Sequence, residues 1–242
     1  MAPAMLRTRH WRMSATLFHQ KRAFTLVDVL LMVATLCILV IVFLPQLART
    51  SRGGCRISCA NNLKQIGLSF RTWALDNNDK FPMQVAVTNG GTKELVESGT
   101  VYVHFQVMSN ELSTPKVLFC PQETDSKRIA ASTFCQTVPS ASLNTVPFTN
   151  DNNVSYFVEV DAQDTYPQML LIGDKNIAID GRPPQPGLNA ISTNRVVAWR
   201  RPQHDGSGYV GLADGSVHQP SGTRLTSLLR ATGVSTNRIA FP

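Results

Sequence analysis

No aspartate or glutamate occurs among the first 23 residues of this 242-residue chain, yet Arg7, Arg9, Arg12, Lys21 and Arg22 do. That one-sided stretch supplies most of the formal net charge of +7; beyond it, 18 basic residues face 16 acidic ones. A body so near neutrality excludes a broad phosphate-binding surface, and no nucleic-acid partner is expected. Signatures of catalysis are missing too. There is no Gly-rich phosphate loop, no dinucleotide fingerprint and no nucleophile elbow, so no enzymatic activity is expected. Internal repeats, heptads and low-complexity tracts are also absent, which excludes a solenoid or a coiled coil.

Cysteine is sparse: Cys37, Cys55, Cys59, Cys120 and Cys135. Cys55 and Cys59 are spaced C-x3-C without a histidine pair at zinc-finger distance, so no metal site is expected. In an oxidising compartment disulfides are the plainer reading. Cys59, at the start of a soluble helix, and Cys120, in a Cys-Pro turn, are the candidate pair. Such a bridge would close a loop of about 60 residues, worth roughly 4 kcal/mol in the chain-entropy description. Cys55 and Cys135 remain alternative partners.

What the chain does contain is one long apolar run. Residues 24–44, FTLVDVLLMVATLCILVIVFL, carry a single charge, Asp28. As a helix the run spans about 31 Å at ~1.5 Å per residue, matching a hydrocarbon core of about 30 Å. A secretory signal would need a small-residue cleavage site after the run, and Leu44-Pro45-Gln46 does not supply one. Five basic residues precede the run against three, Arg49, Arg52 and Arg56, in the dozen after it. That bias places the N-terminus in the cytoplasm.

The helical pattern continues beyond the run. Leu63, Ile66, Phe70, Trp73 and Ala74 recur at steps of three and four, forming one apolar stripe. A helix is expected from about residue 24 to 75, kinked at Pro45, loosened at Gly53-Gly54 and stopped at Asn77-Asn78. Four segments follow: a leader at 1–23, a membrane helix at 24–45, an amphipathic helix at 46–80 and a mainly β extracytoplasmic domain at 81–242. Within the last, strands are expected at 85–88, 101–107, 154–160, 168–173 and 195–199, with a hairpin at 208–218 turning on Asp214-Gly215. Residues 120–152 read as a long loop and 223–232 as a short helix ended by Gly233. The fold class expected is α+β.

The junction Lys21-Arg22-Ala23-Phe24-Thr25-Leu26-Val27-Asp28 resembles a type IV prepilin cleavage and methylation signal. Ala23 stands where that family usually has glycine, and Asp28 where it usually has glutamate; both keep the chemical type. Cys59-Ala60-Asn61-Asn62-Leu63-Lys64-Gln65-Ile66-Gly67, Cys120-Pro121, Asn153-Val154-Ser155-Tyr156-Phe157 and Gly173-Asp174 resemble stretches of type II secretion G-like pseudopilins. His204, nine further residues and Asp214-Gly215 fit the His-x9-Asp-Gly signature of the prepilin-processing-associated domain.

The resemblance implies a pilin-like fold, with the long helix packed on an antiparallel sheet. It implies processing between Ala23 and Phe24 by a prepilin peptidase/N-methyltransferase, and assembly with other pseudopilins on a secretion or pilus platform. The location implied is the bacterial inner membrane, single-pass, with the C-terminal domain periplasmic. Asp28 would then pair with the free amine of a neighbouring subunit's Phe24. Some pseudopilins bind calcium, which makes Asp76, Asp79, Asp205 and Asp214 candidate ligands, although their spacing is not that of an EF-hand. The alternative is a membrane-anchored minor pilin or adhesin-like module binding a surface glycan, for which Trp73, Trp199 and the long loop are the hints. No cofactor is expected beyond that candidate calcium ion.

Overall fold

The computed structural model describes residues 25–136, 145–201 and 203–242, and of residues 44–53 only the helical backbone. The expected cleavage site, Ala23 and Phe24, lies outside the described residues. The chain divides into two compact units, Met1–Arg49 and Thr50–Pro242.

A single helix, α1, runs from Leu26 to Asp76. Its start is a reciprocal cap: the Thr25 amide donates to the Asp28 carboxylate at 3.0 Å, and the Asp28 amide donates to the Thr25 hydroxyl at 3.3 Å. Leu26–Phe43 has a mean hydropathy of 3.0 and none of it is buried, so the helix is long and apolar enough to cross a membrane. The bend expected at Pro45 falls where only backbone is described. At the other end Asn78 adopts a left-handed φ of 57°, and the Asp79 amide reaches back to the Ala74 carbonyl at 2.9 Å. That is the stop the Asn77-Asn78 pair foreshadows.

The second unit is α+β. Its main sheet joins β1 (Tyr156–Glu159), β2 (Leu170–Asp174), β4 (Gly187–Ser192), β6 (Val210–Leu212), β7 (Val217–His218) and β8 (Thr236–Phe241) in the order β4-β8-β1-β2-β6-β7. Every neighbouring pair is antiparallel. A second, two-stranded sheet pairs β3 (Ile177–Ile179) with β5 (Val197–Trp199).

Alternation along the strands divides the interior in two. Tyr156 and Val158 share one core with Cys59, Leu63, Ile66 and Phe70 of α1. Phe157, Ile239 and Phe241 share the other with Leu225 and Leu229 of a short helix, Gly222–Arg230. The expected stripe of Leu63, Ile66, Phe70, Trp73 and Ala74 is buried throughout, and it begins one turn earlier, at Cys59. Each large apolar side chain so covered contributes about 1.5–3 kcal/mol.

Two expected strands are not strands. Residues 101–107 form a short helix, Tyr102–Gln106, because the buried positions are Val101, His104, Phe105 and Met108, a period of three and four. Residues 85–88 span the link between two 3-10 turns, Pro82–Gln84 and Val87–Asn89, and the start of the second, which Gly90 closes at a positive φ. Strands β3, β4 and β8 were not expected: β3, Ile-Ala-Ile, is only three residues long, and β4 and β8 mix polar residues into short runs.

Candidate functional site

Four donor side chains meet where α1 passes the sheet. Cys59 comes from α1, Cys120 from the Cys-Pro turn, Asp174 from the end of β2 and His204 from the loop before β6. All four residues are buried, and their Sγ, Oδ and imidazole nitrogen atoms lie within 4.8 Å of one another. His204 Nε2 is 3.3 Å from Cys120 Sγ and 3.6 Å from the Asp174 Oδ1 atom.

Each donor is positioned by its own local structure. The Cys120 sulfur accepts the Gln122 amide at 3.4 Å, a contact favoured by the turn after Pro121. Asp174 Oδ2 accepts the Tyr209 amide at 2.7 Å, which leaves Oδ1 facing the cluster without a hydrogen-bond partner among the described residues. His204 sits at φ 51°, followed by Asp205 at 54° and Gly206 at 76°. Left-handed residues in succession are costly, roughly 1–3 kcal/mol for each that is not glycine, and persist only where the surroundings over-determine them. Here the Asn176 side chain donates to the carbonyls of Arg200, Gln203 and Ser207. The Arg56 guanidinium donates to the His204 carbonyl at 3.2 Å and pairs with Asp205 at 2.7 Å. His204 Nδ1 has no partner among the described residues.

The electrostatics follow from this crowding. The hydrogen bond shared by the two thiols pushes Cys59 up and holds Cys120 below the ordinary thiol value; burial adds to the first shift, and His204 supports the second. Burial works to lower the His204 value, but the Asp174 carboxylate 3.6 Å away and the Cys120 sulfur at 3.3 Å outweigh that and raise it to about 10. The two thiols are thus driven apart, Cys59 toward the neutral form and Cys120 toward the thiolate, with the His204 imidazole beside the latter.

The sequence reading meets this geometry unevenly. Cys59 and Cys120, the candidate disulfide, are together but not bonded to each other. His204 and the Asp214-Gly215 step, although joined in one motif, do separate work. Asp214 closes the β6–β7 turn by accepting the Ser216 amide at 2.8 Å, and its carbonyl accepts Arg71 at 2.6 Å. Gly215 lies against Gly67 of α1, where a Cβ would come within 3.6 Å of its Cα.

The candidate calcium ligands do not converge. Asp205 pairs with Arg56 and Asp214 meets Arg71, about 22 Å apart along the helix at ~1.5 Å per residue. Asp76 ends that helix, and Asp79 lies in the turn beyond it. The tryptophans offered as glycan platforms are packed: Trp73 lies in the core, and the Trp199 indole donates to the Pro220 carbonyl at 2.7 Å. The residue that sequence reasoning left without a role is Asp174. Its only signal was membership of the Gly173-Asp174 stretch.

The chain matches no family model, no curated protein and no solved structure.

Proposed function

We propose that this chain is a non-enzymatic, pilin-like structural subunit, stored in a bacterial inner membrane and assembled into a pseudopilus or type IV pilus-like filament. The observation that carries the reading is the character of α1. Helix α1 has an apolar N-terminal window, Leu26–Phe43, with no side chain buried, while its later turns, from Cys59 to Ala74, contribute to the core of the α+β unit. In a membrane the uncovered window faces lipid; in a filament the same surface packs against the helices of other copies. Repetition of such a contact without closure builds an open helical array.

The mechanism has three steps. A peptidase hydrolyses the bond between Ala23 and Phe24 at the cytoplasmic surface, where Lys21 and Arg22 hold the junction. The mature helix then waits in the bilayer with the folded unit outside. Extraction into the filament brings the Asp28 carboxylate near the amine of a neighbouring Phe24, an attraction of about 4 kcal/mol at ~4 Å and an effective dielectric of about 20.

Intact-mass and N-terminal peptide analysis of membrane-extracted protein tests the cut. A chain beginning at Phe24 supports the reading, and one beginning near Gln46 or later overturns it. The role of Asp28 is separable from its cap. Asp28→Ala leaves membrane insertion intact and reduces filament incorporation, whereas Thr25→Val, which removes only the capping hydroxyl, reduces it much less. Equal losses in the two variants assign Asp28 to the cap alone.

A further inference from the structure

We propose that Cys59, Cys120, Asp174 and His204 together hold one structural zinc ion, which fastens α1 to the sheet. The donor set points to this metal. Two thiol sulfurs and an imidazole are borderline-soft ligands suited to zinc, and four donors suit its tetrahedral shell. Calcium requires six to eight oxygen ligands and magnesium a near-ideal octahedron, so the hard cations are poorly served.

Size agrees with chemistry. Zinc binds sulfur at ~2.3 Å and nitrogen or oxygen at ~2.0–2.2 Å, so the edges of its tetrahedron run from about 3.3 to 3.8 Å. The His204–Cys120 and His204–Asp174 separations, 3.3 and 3.6 Å, fall in that range, and no donor pair exceeds 4.8 Å. Contraction by at most about 1.5 Å at the widest edge completes the shell. The four donors come from four separate segments, and each residue is buried. Burial leaves no open position for water or substrate, which marks a structural rather than a catalytic site.

A second, independent observation concerns Asp174. This residue has no exposed surface, and its Oδ1 atom points into the cluster with no hydrogen-bond partner among the described residues, His204 Nε2 standing 3.6 Å away, beyond hydrogen-bond length. A buried carboxylate oxygen is ordinarily satisfied by a donor or a cation. Its other oxygen is fixed by the Tyr209 amide at 2.7 Å, which orients the free one inward.

The outer contacts have the character that metal ligands require. The Gln122 amide donates to Cys120, and the Tyr156 hydroxyl hydrogen-bonds Cys59. Asn62 in turn donates to that hydroxyl at 3.3 Å. With both thiols and Asp174 ionised, the zinc complex carries one net negative charge, and Arg56 stands beside it on the His204 carbonyl. The left-handed backbone at His204 then has a purpose, since it turns the imidazole toward the three other donors.

The rival state of the same cluster is a Cys59–Cys120 disulfide. It excludes zinc because it consumes both thiolates. Metal content and thiol state of the detergent-solubilised full-length chain, purified without added metal or chelator, separate the two. The expected result is one zinc per chain with both thiols free. After chelation, one equivalent of Co2+ restores a tetrahedral cobalt spectrum with thiolate charge-transfer bands. Asp174→Ala lowers apparent zinc affinity by about 100-fold or more, and His204→Ala does the same. Because these variants can fail to fold, the wild-type chain provides the second measurement: its thermal midpoint falls on chelation and recovers with zinc. A Cys59–Cys120 disulfide in the purified chain overturns the proposal. So does undiminished zinc in a Cys59→Ser, Cys120→Ser double variant, or a thermal midpoint unmoved by chelation.

Discussion

His104 shows how one buried side chain sets a pH dependence. The residue is fully buried, its Nδ1 atom 2.8 Å from the Thr92 hydroxyl, and its Nε2 atom has no partner among the described residues. Burial lowers its pKa to about 4 from an ordinary value near 6.5. The folded chain therefore binds a proton less readily than the unfolded one. Stability from this group is fully present above about pH 6.5 and drains away as pH falls toward 4, by roughly 3 kcal/mol in all. Glu159, whose pKa burial raises, works in the opposite sense, so a variant is needed to isolate the effect. Urea unfolding of wild type and His104→Asn at pH 7, 5.5 and 4 is the check. The variant is less stable at pH 7 and loses about 3 kcal/mol less on acidification. Parallel pH profiles would show that His104 is not the group responsible. Nothing in the sequence separates this histidine from an exposed one except the spacing of Val101, Phe105 and Met108 around it. That spacing is helical, and reading it as a strand hid the burial.

At the scale of elements, two glycines with positive φ give contrasting expectations. Gly99, at φ 68°, ends the 3-10 helix Lys93–Ser98 beside strand β4, where a Cβ would lie 2.3 Å from the Leu188 nitrogen. Gly90, at φ 85°, has nothing within 4 Å of that position. Gly90→Ala therefore costs only the backbone strain, about 1 kcal/mol, whereas Gly99→Ala adds a clash with backbone that cannot yield and costs about 3 kcal/mol or more. Chemical denaturation of the two variants side by side decides it, and equal losses would refute the steric part. The longest elements were the most legible. A hydrophobic run and a sustained three-and-four stripe identified α1 almost to the residue, because both periods follow from helix geometry alone. Short strands were less legible. The residues of β4, GLNAIS, include only Ile191 as a buried side chain, and β4 exists because six residues of β8 lie beside it.

At the scale of the whole molecule, strand β8 closes the second unit. It lies between β4 and β1, so the last residues of the chain pair with the first strand of the sheet. Arg128, in the long loop, also reaches the Pro242 carbonyl at 2.5 Å. Deletion of residues 236–242 is expected to abolish cooperative thermal unfolding of this unit while leaving membrane insertion of the Leu26–Phe43 window unaffected, since that window needs no tertiary partner. Calorimetry and membrane fractionation of the truncated chain test both halves; a retained cooperative transition would show that β8 is dispensable. The same division separates what the sequence determined by itself from what only the tertiary structure decided. The apolar window, its basic flank, the helix that follows and the Asp214-Gly215 turn were all legible, because each depends on residues close together in the chain. The cluster of Cys59, Cys120, Asp174 and His204 was not, although Cys59 and Cys120 were paired as a candidate disulfide and His204 was singled out in a separate motif. Its successive members are 61, 54 and 30 residues apart, and local periodicity carries no information over such distances. They become neighbours because the stripe on α1 and the inner face of the sheet bury each other, which brings the Cys59 turn of the helix against the end of β2.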